Sequence, residues 1–384
     1  MFMQPPHPSR AFTRQALGSG ARPARITWAR ARRGQYCEQL LWLTLFTSAS
    51  SCIPKVEDDI STVNRPRLLA VKSTPAEAAP GGSVALEALV AAPDGVEVPT
   101  VAWYGCRERK ALTELGPVNP LCLDPGVDTE ASPFLGTGEG VGFRVFDDAC
   151  QLFGPTLPPP VDGQPSGRPA DPDPTGGYYQ PYVASLEGEG TSLGSLRLTC
   201  GPPAGTPRDQ LILYNEQYAP NGNPAMASLL IVGASQDTVV PSEGAPADTI
   251  SVKPGQHLTL RAAWAPCPRT PVCGDGLCTL TETSDNCAMD CLSPQRCTGA
   301  ESYVAINESK QVTARRESII VSWYSTQGLF DNRRTGVSET DPDEPWTENG
   351  WLAPDAEGVV NLWLALRDDR GGVGWNSYRV DIRR

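Results

Sequence analysis

The chain has 384 residues, 20% of them charged and 40% hydrophobic, with 37 Gly and 38 Pro. That is a globular, loop-rich composition of about two domains, and it excludes helical bundles and coiled coils. A net charge of −12 excludes nucleic acid as a partner, because phosphate binding requires a basic footprint. Only two histidines occur, His7 and His257, which argues against histidine-based triads and multi-imidazole zinc sites.

Charge is unevenly placed. Residues 1–51 carry seven Arg, no Lys and one acid (Glu38), a balance of +6 that leaves −18 on the remainder. This basic head precedes the apolar run Leu40–Phe46, the order of a signal peptide, and the run is far shorter than the ~20 residues of a spanning helix. Ala49-Ser50-Ser51-Cys52 follows at once and resembles the lipobox of bacterial lipoproteins. The resemblance implies that Cys52 becomes the acylated first residue of the mature chain. Ile53 after it, in place of Asp, implies the outer membrane; the other destination is secretion. Such an anchor needs more than one acyl chain, at roughly 0.8 kcal/mol per buried CH₂. Removing Cys37 and Cys52 from the twelve cysteines leaves ten, an even number suited to a disulfide framework in an oxidising compartment.

From residue 65 the chain repeats itself. Leu68–Val71 matches Leu229–Val232, Pro80–Ala88 matches Pro254–Ala262, and Val101–Tyr104 matches Val321–Tyr324, in the same order. An opening strand, a Pro-Gly turn, an alternating strand and a strand centred on Trp103 or Trp323 predict the first half of an immunoglobulin-like sandwich. In the second copy, Val360, Leu362, Leu364 and Leu366 alternate, Asp368–Gly372 supplies a turn, and Tyr378, Val380 and Ile382 alternate back, predicting the closing hairpin. In the first copy the closing strands are sought in 178–200 and 209–216. No amphipathic helix is expected.

The expected fold is therefore all-β, with two tandem immunoglobulin-like β-sandwich domains and a disulfide-rich insertion in the second. The boundaries are a signal peptide at 1–51, a linker at 52–64, domain 1 at 65–222 with a Pro/Gly-rich loop at 154–177, and domain 2 at 223–384 with a cysteine-rich insertion at 266–300. This pattern resembles the tandem Ig-like envelope lipoproteins of GC-rich Gram-negative bacteria, an origin that 27 Arg against 5 Lys also fits.

Ten positions separate Ala91 from Val101, whereas the equivalent Ala265 and Val321 are 56 apart. The added length holds Cys267, Cys273, Cys278, Cys287, Cys291 and Cys297, and its centre resembles the C-G-D-G-x-C…C-x-x-D-C repeats of secreted proteins. A unit this small needs disulfides or metal to hold it. Disulfides are the leading reading. Calcium on Asp275, Glu282, Asp285 and Asp290 comes second, and a thiolate zinc cluster third. Cys106, Cys122, Cys150 and Cys200 allow three connectivities, of which Cys106 with Cys122 is the simplest.

Catalytic signals are weak. Candidate serine nucleophiles lack a histidine base, there is no phosphate-binding loop, and Gly136–Gly140 reads as a plain loop. His257 is expected to face outward from a strand, and Glu339–Glu344 to form a solvated acidic loop. Trp346, Trp351, Trp363 and Trp375 cluster late in the chain; packing between the two modules is the leading reading, and Trp351 and Trp363 are the candidate binding aromatics. The expected function is that of a non-catalytic binding, adhesion or structural module. It would be held to the membrane by its N-terminal lipid, with an envelope protein or polysaccharide as partner. The alternatives are a carbohydrate-binding component using exposed tryptophans and a secreted hydrolase accessory protein.

Overall fold

The computed structural model describes residues 60–110, 116–123, 128–155, 173–232, 238–241, 250–267, 273–274, 282, 286–291, 297–341 and 344–384. Cys52, the signal segment and the centre of the Pro/Gly-rich loop lie outside them. Module 1 contains β1 (Arg67–Thr74), β2 (Glu77–Ala78), β3 (Ser83–Ala91), β4 (Val101–Gly105), β5 (Phe134–Thr137), β6 (Gly140–Arg144), β7 (Tyr179–Leu186) and β8 (Gly190–Leu198). One sheet runs β1-β3-β6 and the other β2-β8-β7-β4-β5, with the short β2 parallel to β8. At the Pro80-Gly81 turn, Gly81 takes φ +74°, a conformation only glycine adopts freely. Val84 and Leu86 of β3 then point into a core shared with Trp103, Tyr182 and Leu196.

The fully buried Trp103 donates its indole N–H to Gly138 O at 2.8 Å, so the glycine-rich turn between β5 and β6 satisfies the polar atom of the core tryptophan. The hairpin β7–β8 confirms 178–200 as the closing strands. The second candidate, 209–216, is instead helix α2 (Arg208–Gln217), the longest of three short α-helices among the described residues, with α1 (Ala149–Leu152) and α3 (Ala288–Cys291). Pro207 stands at its start, where a missing N–H costs nothing, and Asp209 lies in its first turn. None of its residues is buried, so the Leu211–Tyr214 run that reads as a strand has no core to alternate against.

Module 2 repeats the wiring. It comprises β9 (Met226–Val232), β10 (Thr238–Pro241), β11 (Ile250–Val252), β12 (His257–Trp264), β13 (Ser302–Ile306), β14 (Val312–Arg316), β15 (Ile319–Ser325), β16 (Leu329–Phe330), β17 (Arg334–Val337), β18 (Trp346–Leu352), β19 (Gly358–Asp368) and β20 (Val373–Ile382). One sheet runs β10-β9-β12-β18-β16 and the other β11-β20-β19-β15-β17, with β11 parallel to β20 as β2 is to β8. Trp323, the counterpart of Trp103, is fully buried and bonds Thr335 Oγ1 at 2.9 Å. The chain is thus two immunoglobulin-like β-sandwiches. The insertion between β12 and β15 carries the cysteine-rich segment and, beyond it, the hairpin β13–β14.

The sandwiches pack side by side. Leu69 and Ala70 of β1, and Leu89 and Ala91 of β3, meet Trp363 and Ala365 of β19 and Val373 of β20. A register shift between Leu68 and Ala70 lets β1 serve both this contact and its own core. Arg367 donates to Leu69 O at 2.8 Å, and Asn361 to Asp94 at 2.9 Å. The end of the expected linker also lies on module 2, where the Val63 N–H donates to Ser325 O and the Ser325 N–H donates to Ser61 O.

Among the described residues, four disulfides join Cys106–Cys122, Cys150–Cys200, Cys267–Cys297 and Cys273–Cys287. The first closes a loop whose Val118 and Leu123 pack with Leu193 over the outer face of module 1. Replacing both Cys106 and Cys122 by Ser is expected to lower stability by ~3 kcal/mol, the loop-entropy value for a closure of this length. Urea unfolding of oxidised protein measures it. Cys278 lies outside the described residues, as does the side chain of Cys291.

Candidate functional site

Of the four proposed calcium ligands, Asp275 and Asp285 lie outside the described residues. Glu282 and Asp290 are both buried. Asp290 Oδ2 accepts the Gly274 N–H at 2.6 Å and sits 3.2 Å from Cys287 Sγ. Cys273, Cys287 and Asp290 are close enough together to suggest a metal. The two sulfurs are joined to each other, however, so no thiolate pair is available for zinc there. Asp290 instead fixes the turn that follows Cys273.

Both candidate binding tryptophans require correction. Trp351 is fully buried in the core of module 2, beside Phe330, because its strand β18 turns that position inward. Trp363 is 8% exposed and fills the seam between the modules, which is the packing that the sequence favoured over binding. The half-buried pair is occupied by cations: Arg261 stacks on Trp346 at 4.0 Å and Lys72 on Trp375 at 4.4 Å. His257 is exposed on β12, 3.4 Å from Asp331. In the acidic stretch, Glu339 is held by Arg315, whose hydrogen bond pulls its carboxyl below the usual range. Residues 342–343 of that stretch lie outside the described residues.

Among the described residues, the most heavily charged buried region is at the module junction, in positions that the sequence marked at most as a turn (Asp368–Gly372). Four carboxylates and two guanidinium groups meet there from separate elements: Glu77 on β2, Arg197 on β8, Glu301 before β13, Glu317 after β14, Asp368 ending β19, and Arg370 in the β19–β20 turn. Arg370 is 1% exposed. Its Nη1 lies 3.1 Å from Glu317 and 3.7 Å from Glu301, while its Nη2 donates to Ala219 O at 2.8 Å and lies 3.7 Å from Glu77. Its guanidinium rests 4.6 Å over the Tyr303 ring.

Glu77 gathers donors from module 1 and the inter-module segment: Thr199 Oγ1 at 3.1 Å, the Asn221 N–H at 2.7 Å and the Tyr218 hydroxyl, with Arg197 Nε at 3.3 Å. Asp368 Oδ1 accepts the N–H groups of Arg370 and Gly372 at 2.9 and 2.7 Å, which folds the turn back on itself. Gly371, at φ +95°, lets that turn approach Tyr179 and Ser195 of module 1. Arg197 in turn donates to Tyr179 and Thr175.

Burial dominates the electrostatics. It pushes the Asp368 carboxyl up to about 6 against the pull of the Gly372 N–H and the Arg370 charge. Glu317 is raised well above the ordinary glutamate range by burial first and by the negative charge of Asp368 next, with Arg370 opposing. Arg197 lies between the core residues Leu196 and Leu198, at the outward position where β alternation admits a charge, so the pattern carries no signal for this cluster.

No family model and no curated protein matches the chain. Among solved structures it is similar to the two tandem V-type regions of a v-region-containing chitin binding protein, at 11% identity over 82% of this chain and 100% of that one, with a TM-score of 0.22. It is also similar to a Salmonella alpha-2-macroglobulin mutant, at 10% identity and a TM-score of 0.16, and to latent PorU from Porphyromonas gingivalis, at 10% and 0.16. It spans 17% and 34% of those two chains. The fold assignment rests on the strand pairing above, and these likenesses carry no argument about activity. No described helix is long and apolar enough to cross a membrane. The disulfides are compatible with an extracellular or envelope location.

Proposed function

We propose that this chain is an outer-membrane lipoprotein, anchored through acylated Cys52, that acts as a non-catalytic binding or adhesion module toward an envelope protein or polysaccharide. The observation that carries this reading is the buried junction. It joins two sandwiches over both a charged cluster and an apolar seam, which suits a rigid presenting body. The buried ionisable groups with raised carboxyl values are partnered within that junction, a structural use of charge rather than an open reacting cleft. Burial of Trp351 and Trp363, and the cations stacked on Trp346 and Trp375, weigh against a tryptophan sugar platform.

Intact mass of protein extracted from host membranes tests the anchor. The expected mature chain begins at Cys52 with acyl mass attached, and C52A releases the protein from the membrane fraction. A mature N-terminus elsewhere, or an unmodified Cys52, overturns the anchored reading. The released C52A chain then tests the binding role: saturable binding to envelopes of a strain lacking the protein is expected, and its absence at micromolar concentration overturns that role.

A further inference from the structure

These six groups are four carboxylates and two guanidinium groups, so full ionisation would give them a balance of −2 in a region closed to water. Among the described residues, the acidic oxygens of this cluster do not form a group of three close enough to share a metal ion. A proton is the remaining way to offset the surplus. The local geometry provides a place for it at Asp368. Its Oδ1 accepts the N–H groups of Arg370 and Gly372, and the Asn221 Nδ2 lies 3.4 Å from Oδ1 and 3.5 Å from Oδ2, the one hydrogen-bond partner that Oδ2 has among the described residues.

Asn221 is 4% exposed, and its Oδ1 is buried without a hydrogen-bond partner while its Nδ2 points at Asp368. Turning that carboxamide by half a rotation exchanges the two atoms. A protonated Asp368 then donates from Oδ2 to Asn221 Oδ1, whereas an ionised Asp368 accepts from Nδ2. The backbone N–H of Asn221 donates to Glu77 of module 1, and two residues on, Asn223 bonds Ser73 O of module 1 and the Val373 N–H of module 2.

We infer that Asp368 and Asn221 form a proton-linked latch between the two sandwiches, closed when Asp368 carries a proton and loosened when it ionises. The charged and titratable groups facing it are Asp369 and Arg370 in its own turn, Glu77 and Arg197 from module 1, Tyr218 from the segment between the modules, and Glu301, Tyr303 and Glu317 from the insertion. Asp368 and Glu301 both set negative charge against Glu317, so ionisation of Asp368 works against Glu317, while Arg370 attracts all three. This latch goes beyond the binding role proposed above and does not depend on how the chain is anchored.

The sign follows from linkage. A carboxyl whose value is raised in the folded state stabilises below the unfolded value and loses that contribution as pH rises through the folded one. For Asp368 the window runs from the ordinary aspartate value to about 6. The test compares urea unfolding of oxidised full-length wild type and D368N between pH 4.5 and 6. In wild type the unfolding equilibrium constant is expected to rise by up to about tenfold per pH unit more than in D368N, the slope of one retained proton. Parallel profiles overturn the latch. Should D368N not fold, the side-chain amide resonances of Asn221 in wild type decide: a titration centred near 6 supports the latch, and a flat response across pH 5–8 overturns it.

Discussion

Replacing Arg370 by Met is expected to destabilise the folded chain by about 3–5 kcal/mol, the range for removing one partner from a buried charge pair. The side chain is 1% exposed, and it contacts Glu317, Glu301, Glu77 and the Ala219 carbonyl at once. Met fills much of the volume, so the loss reports charge rather than a cavity. Removing the guanidinium leaves Arg197, which pairs with Glu77, as the remaining guanidinium of the cluster. Glu317, already raised by burial, must then take up a proton or exclude its neighbours. Urea unfolding followed by tryptophan fluorescence gives the loss directly, and the double variant R370M/E317Q is expected to recover at least ~1 kcal/mol of it, since the two sites share one network. A single-variant loss below ~1 kcal/mol would show that Arg370 does not hold the junction.

The sandwiches were legible in the sequence because each buries one face of each strand against a core. Period-two alternation at Val84 and Leu86, or at Val360 through Leu366, reports that directly. The Asp368–Gly372 turn was legible for the same reason, since the alternation stops there and restarts at β20. What alternation does not report is which outward faces are covered. Trp363 and Ala365 lie on the polar-facing side of β19, yet module 1 buries them, and β3 from Ala88 onward is likewise covered on both faces. The charged junction was hidden more deeply. Glu77, Arg197, Glu317 and Arg370 are far apart in the chain, and only the docking of one sandwich beside the other brings them together. Helix α2 was missed because its apolar residues face no core, so periodicity had nothing to record. The cysteine pairing followed parity in number, while partner choice needed the fold: Cys150 meets Cys200 only once β8 ends beside α1.

The outward side of β19 also determines what the tryptophan cluster does. Trp363→Ala is expected to cost about 3–5 kcal/mol, the range for truncating a large aromatic in a packed interior. Its indole fills the seam against Leu69, Ala70, Leu89 and Ala91, none of which can collapse into the space without moving a strand of a two-faced sheet. A sugar-binding platform would give the opposite result, a loss of ligand binding with stability nearly unchanged. Trp346→Ala supplies the comparison, because that ring is half-buried under Arg261 on an outer sheet face and its loss should cost only ~1 kcal/mol. Measuring both variants by urea unfolding separates the readings. If Trp363→Ala costs no more than Trp346→Ala, the seam is not a packed interior and the two sandwiches do not form one body. If it costs several times more, the tryptophan at residue 363 belongs to the architecture, and recognition has to be sought on surfaces that the junction leaves open.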